Sequence, residues 1–153
     1  MQGRWSLGLL LTGFESLHRL SQSRKPGLLI IVQPAFLGPF ILSPNQGISV
    51  GLLFGKNFRM AGADCVMFPI PSKRFSFEAA DCKDVINRYY AQDPCWEQTF
   101  PVIGGSISAE QLPQLKNKYG DDVIYLVGRQ MYEMSADLPE NVRQLRRILE
   151  RET

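Results

Sequence analysis

The sequence has one histidine, His18, in 153 residues. It falls in FESLHRLSQSR, an amphipathic segment where a surface or packing role is expected, so Ser-His-Asp and Cys-His catalysis have no support. Cysteine is also scarce. Cys65, Cys82 and Cys95 are odd in number and form no CxxC pair, which excludes zinc spacing and a disulfide framework and fits a reducing compartment. Cys95, in the polar stretch QDPCWEQ, is expected to be the exposed thiol. No sign of charge dominates: 17 Lys and Arg stand against 15 Asp and Glu, a net charge of +2. That is no footprint for nucleic acid. The most basic run, RQLRRILER, interleaves apolar residues and reads as a solvated helix face. The early run SLGLLL is too brief to span a bilayer. Little positive charge precedes it and no small-residue cleavage site follows, so a signal peptide is not expected. Neither a membrane nor a nucleic acid is expected as partner. The location is expected to be cytoplasmic, or organellar if the chain is made there.

What the sequence does have is alternation. Apolar runs at SLGLLL (6–11), LLIIVQ (28–33), DCVMFP (64–69), FPVI (100–103) and DVIYLV (122–127) are short and rich in Val, Ile and Leu. Such runs suit buried parallel strands. Helical segments lie between and after them. Phe14, Leu17 and Leu20 give the first an apolar face, and Lys25-Pro26-Gly27 stops it. Ile48, Leu52 and Phe58 do the same for residues 47–62, although glycines weaken that helix. Val85, Ile86 and Tyr89 face inward from residues 77–91. Ser108 is placed to cap the next helix and Gly120 to end it. The last helix starts near Pro139, with Val142, Leu145, Ile148 and Leu149 as its apolar stripe.

Five βα units in series predict a single α/β domain over residues 1–153 with a parallel sheet and right-handed crossovers. Two architectures fit: a flavodoxin-like open sheet, or most of a (β/α)8 barrel, which takes about 250 residues when complete. Periodicity does not choose between them. Both place function at the C-terminal ends of the strands.

The candidate site residues follow from those ends. Gln33 closes the second strand; its amide can hydrogen-bond but does not titrate near neutrality, so it is no general base. Met67, Phe68 and Pro69, all apolar, close the third. Lys73 and Arg74 then offer two adjacent cations for a phosphate. Gly104, Gly105 and Ser106 open a helix and can turn backbone N–H groups toward an anion. Gly128 and Arg129 follow the fifth strand, where Arg129 could reach a phosphate over Gly104. No Asp or Glu stands at a strand's C-terminal end. Asp64 and Asp122 open their strands, at the opposite face, and no carboxylate cluster for magnesium is evident.

These stretches resemble a known family. QPAFLGPFILSPNQGISVGLLFGKNFRMAGADCVMFP followed by KRFSF, and later FPVIGGSISAEQLPQLKNKYGDDVIYLVG, are similar to the RuBisCO-like proteins (form IV), relatives of the ribulose bisphosphate carboxylase large subunit. Corresponding family stretches read HPAFLG, SPDHGI, RLAGAD, FPN, GGRFSF and FPVPSGGIHVGQMPDL. The resemblance runs from about residue 7 to about residue 130 and implies a barrel whose five strands match the family's fourth to eighth. It implies a truncated C-terminal part of the barrel, without the strands that carry the family's magnesium ligands. The family enolises phosphorylated sugars or thio-sugar phosphates at magnesium, and true RuBisCO then carboxylates the enediolate.

The chain departs from that pattern at chemical positions. Gln33 stands in place of a histidine, and Pro34 in place of the phosphate-binding arginine of true RuBisCO, as in many RuBisCO-like proteins. Met67 replaces a further histidine of true RuBisCO. Lys73 or Arg74 falls near the mobile-loop lysine. Gly104, Gly105 and Ser106 replace Ser-Gly-Gly, and Gly128, Arg129 and Gln130 replace a triple glycine, which argues against an unaltered phosphate site. The resemblance therefore implies no intact catalytic set, no metal held by this chain, and no carboxylase activity by itself. Expected partners are a second copy, a polypeptide supplying the N-terminal barrel half, or a sugar phosphate.

Overall fold

The computed structural model describes residues 4–23, 28–43, 45–71 and 77–150, with side chains described from residue 13 onward. Lys73 and Arg74 lie outside the described residues. Five strands form one sheet in the order β1-β2-β3-β4-β5: β1 (Arg4–Gly8), β2 (Leu29–Gln33), β3 (Cys65–Pro69), β4 (Phe100–Gly104) and β5 (Ile124–Tyr125). All pairings are parallel. A flavodoxin-like sheet reverses its strand order partway, whereas a barrel adds each strand beside the last. The sequential order resolves the choice in favour of part of a barrel.

The helices lie along one face. They are α1 (Leu9–Ser23), α2 (Gly38–Ile41), α3 (Val50–Leu52), a π-turn (Leu53–Asn57), α4 (Phe58–Met60), α5 (Ala79–Tyr90), α6 (Leu112–Tyr119), α7 (Gly128–Met134) and α8 (Leu138–Glu150). Strand side chains alternate between faces. In β2, Ile30 and Val32 are buried while Leu29 and Gln33 are exposed. The helix-facing row of Val32, Val66, Phe68 and Ile103 joins Leu17, Phe54, Phe58, Val85, Tyr89 and Leu112 in the core. The other face keeps Leu29 (50% exposed), Phe100 (47%) and Ile124 (42%) open.

Close backbone approach fixes α5 against the segment from α3 to α4. A Cβ on Gly55 would come within 2.9 Å of Arg88 Cβ and 3.2 Å of the Val85 carbonyl, so glycine lets the two helices touch. Ser49 caps α3 by accepting from Leu52 N at 3.3 Å. Arg59 is buried and its guanidinium donates to four carbonyls, those of Glu97, Arg88, Ala91 and Trp96, at 2.7–3.0 Å. It thereby fastens the loop after α5. Asp64, just before β3, accepts from Ile30 N at 2.7 Å and ties β2 to β3 at their N-terminal ends.

Several expectations need correction. The first strand occupies Arg4–Gly8, and Leu9–Leu11 belong to α1, which passes a non-helical Gly13 at φ 75°. A short apolar run suits either element, and periodicity alone does not separate them. The fifth strand holds two residues rather than six, although Leu126 N still bonds the Ile103 carbonyl at 2.9 Å. Leu52 was expected inward and is exposed, while Val50, Leu53 and Phe54 are buried. The helix starts at Val50 behind the Ser49 cap, so its buried stripe runs Val50, Leu53, Phe54 and Phe58, and a count begun at Ile48, outside the helix, lands on the wrong face. In α8 the inward place expected of Val142 is taken by Asn141, which donates to the Met131 and Ser135 carbonyls at 2.8 Å. Val85, Ile86 and Tyr89 are buried as expected, and Cys95 is the exposed thiol.

Candidate functional site

At the C-terminal ends of β2, β3 and β4 the structure opens into a cleft of about 460 Å³. It is lined by the turn Gln33–Gly38, by Ile41, Leu42, Phe54 and Phe77, by Met67–Pro69 and by Gly104 and Gly105. Strand register brings these together: Pro69 pairs with Gly104, and Ile70 N donates to the Gly104 carbonyl at 3.0 Å. Four of the sequence candidates, Gln33, Met67, Gly104 and Gly105, therefore share one cleft.

Gln33 ends β2 with its side chain exposed. Its carbonyl accepts from Ala35 N at 2.9 Å across Pro34, a tight three-residue turn of the kind found at strand ends. The next residue, Phe36, takes a left-handed backbone at φ 62° and leaves its ring 70% exposed. A bulky residue in that region is strained. Leu37 is buried and leads into α2, whose first turn holds Pro39. The sequence reading passed over Phe36, because a positive φ on phenylalanine leaves no mark in composition or periodicity.

Gly105 (φ 95°) and Ser106 (φ 38°) make a left-handed turn, whereas Gly104 is the last residue of β4. Ser108 then enters a capping box: its N–H donates to Gln111 Oε1 at 2.9 Å. Over Gly104 the neighbouring atoms are hydrocarbon, since a Cβ there would lie 3.7 Å from Leu126 Cδ1 and 4.0 Å from Met67 Cγ. Arg129 is not in the cleft. Gly128 starts α7, and Arg129 Nε donates to Glu133 Oε1 at 2.7 Å with its side chain 79% exposed.

The described lining holds no titratable side chain. Behind it, Cys82 Sγ reaches the Pro69 carbonyl at 3.6 Å, and burial pushes its thiol up, so it stays protonated rather than nucleophilic. Magnesium takes carboxylate and water oxygens. Gln33 supplies a single amide oxygen, and among the described residues no three of His, Cys, Asp or Glu gather to hold a metal. The described residues do not fit that ion.

Parallel βα units in sequential order, with a cleft at the strands' C-terminal ends, define part of a (β/α)8 barrel. The comparisons with known proteins then place the chain. No family model matches it. It is 28% identical over 136 residues to ribulose bisphosphate carboxylase-like protein 1 of Rhodopseudomonas palustris, covering 86% of this chain and 34% of that protein. It is 31% identical over 115 residues to the 5-methylthioribulose-1-phosphate isomerase of Rhodospirillum rubrum, covering 75% of this chain and 29% of that one. In structure it matches the octameric ribulose-1,5-bisphosphate carboxylase/oxygenase of Pyrococcus horikoshii with a TM-score of 0.86 at 19% identity, over 96% of this chain and 35% of that chain. The chain is homologous to the RuBisCO-like proteins and spans about a third of the length of the curated relatives it matches. Among the described residues no helix is long and apolar enough to cross a membrane.

Proposed function

We propose that the chain is a RuBisCO-like binding or assembly module without carboxylase activity of its own, with the cleft at the ends of β2, β3 and β4 as its ligand site. The observation that carries this reading is the open face of the sheet, where Leu29, Phe100 and Ile124 stay exposed. In a closed barrel that face is filled by side chains from strands all round. An apolar face and two outer strands with unpaired edges among the described residues favour association. The occupant is a second copy or a polypeptide that supplies the rest of the barrel.

Light scattering with a urea unfolding curve tests this. The chain alone is expected to self-associate or to unfold over a broad range. A monodisperse monomer with one steep transition would overturn the reading. Magnesium-dependent fixation of labelled bicarbonate onto ribulose bisphosphate is expected to be nil.

A second reading makes the chain one subunit of a magnesium-dependent enolase or isomerase, with metal ligands supplied by another polypeptide. The relative named as an isomerase favours it. In that reading the left-handed Gly105 and Ser106 turn is a phosphate cradle, with Lys73, Arg74, Gly128 and Arg129 as its candidate companions.

A further inference from the structure

We infer that the open face of the sheet is closed by a polypeptide bringing three further parallel βα units, and not by a second copy of this chain. This rests on the reading of that face as the assembly surface, and it chooses between the two occupants named there. A closed barrel of this class has eight strands. The described residues supply five, all parallel and in sequential order, which leaves three to be added.

Curvature sets the width of the gap. The chain superposes on the Pyrococcus horikoshii carboxylase with a TM-score of 0.86 over 96% of its length. Agreement of that extent means the five strands keep the bend and tilt of an eight-strand barrel instead of flattening into an open sheet. At that bend an arc of five strands leaves room for three. A second copy brings five, so two such arcs overlap before they close. Pairing β5 of one copy with β1 of the next keeps the strands parallel, but it is a head-to-tail contact that does not close. Contacts of that kind give a run of sizes rather than a dimer.

The face also has the chemistry of a barrel interior. Ile31 pairs with Cys65 and Cys65 with Phe100; two residues on, Met67 pairs with Val102 and Val102 with Ile124. These rows alternate with the helix-facing Val32, Val66, Phe68 and Ile103, so they point into the arc. All six residues are apolar, as are the layers that fill a closed barrel. The partner therefore brings its own apolar row on three parallel strands with helices outside, in about 90 residues.

The test co-expresses the full chain with the part of ribulose bisphosphate carboxylase-like protein 1 of Rhodopseudomonas palustris that lies outside the matched region. The match covers 34% of that protein, so the remainder is the probe for what completes the arc. Size exclusion with light scattering reads the masses. The chain alone is expected as a spread of sizes, and the co-expressed pair as a 1:1 complex of one mass. Ile124→Asp puts a charge into the arc and is expected to reduce the complex about tenfold. Phe100→Ser is a milder change on the same face, expected to act in the same direction, and it carries the test should circular dichroism show Ile124→Asp unfolded. Val142→Asp, on the exposed side of α8, is expected to leave the complex unchanged.

A discrete dimer of the chain, broken by Phe100→Ser and indifferent to the probe, would make a second copy the occupant; it would overturn this inference and leave the face as the assembly surface. A spread of sizes that the probe does not resolve would overturn the inference in the same way. A monodisperse monomer with one steep transition and no complex would overturn both, as would a complex that neither Ile124→Asp nor Phe100→Ser weakens.

Discussion

Tyr89 Oη donates a 2.8 Å hydrogen bond to the carbonyl of Phe54, 35 residues earlier, and both residues are buried. The acceptor sits inside the π-turn, where the helical hydrogen-bond ladder shifts register. One phenol therefore joins α5 to the irregular turn that walls the cleft through Phe54. Tyr89→Phe keeps the ring and removes this buried hydrogen bond. The expected loss is about 1 kcal/mol, read as a lower urea midpoint with the slope unchanged.

Arg59 makes a sharper case. Its guanidinium bonds four carbonyls of the α5 end and the loop beyond. An ammonium has three donors and no fork, so Arg59→Lys leaves acceptors unmatched. A loss of about 2–4 kcal/mol is expected. Hydrogen exchange should speed up across residues 91–97 before it does so in the core.

Gly55→Ala tests the helix contact. The new methyl group would press on Arg88 Cβ at 2.9 Å and the Val85 carbonyl at 3.2 Å. Helix propensity alone predicts a gain from this change, of about 1 kcal/mol. Overpacking predicts a loss of about 1–3 kcal/mol. The clash with backbone should win, and a lowered thermal midpoint is the expected reading.

Acid acts through the exposed helix starts. The Arg143 hydrogen bond holds the Glu140 carboxyl below its ordinary value, and the Ser108 hydroxyl does the same for Glu110. A folded pKa below the unfolded one means the unfolded chain binds protons first as pH falls. The contribution is present above the ordinary carboxylate value and is lost as pH drops through the folded one. Glu140→Gln should therefore flatten the decline of the thermal midpoint between about pH 5 and pH 3.

Alkali acts in the opposite sense. Burial pushes the Tyr125 phenol up to about 12, and Tyr89, Tyr90 and Tyr119 are also raised, chiefly by burial. Their contribution is complete below the ordinary phenol value of 10.0. It is lost as pH rises through the folded values, because the unfolded chain ionises first. Tyrosinate absorbance between about pH 10 and pH 12 should rise together with the loss of helical circular dichroism. A smooth titration in the intact fold would contradict this.

The parts of the fold that sequence made legible are those set by regular periods. Val85, Ile86 and Tyr89 share a 3.6-residue stripe and are buried together. Ser108 and Gly120 mark the ends of a helical segment through local chemistry, the one by its capping box and the other by φ 87°. Where the period breaks, legibility ends. Leu52 points outward because the helix begins only at Val50, and its stripe runs through Leu53 and Phe54 instead. Arg129 replaces a glycine of the family pattern and is a better helix former, and it lies in the first turn of α7, a helix that no apolar period had marked. Gln33, Met67, Gly104 and Gly105 could be placed at one cleft because parallel strands end together. Phe36 could not, since what sets it apart is a backbone angle.

The sequential strand order has a kinetic consequence. Each strand bonds only to the strands one βα unit away, so sheet formation closes only short stretches of chain and each step inherits the edge left by the previous one. The C-terminal unit joins through the two-residue β5, the weakest seam in the series. Opening should therefore spread inward from β5 as a graded sequence of local events, which makes that edge the natural place for another polypeptide to enter the sheet.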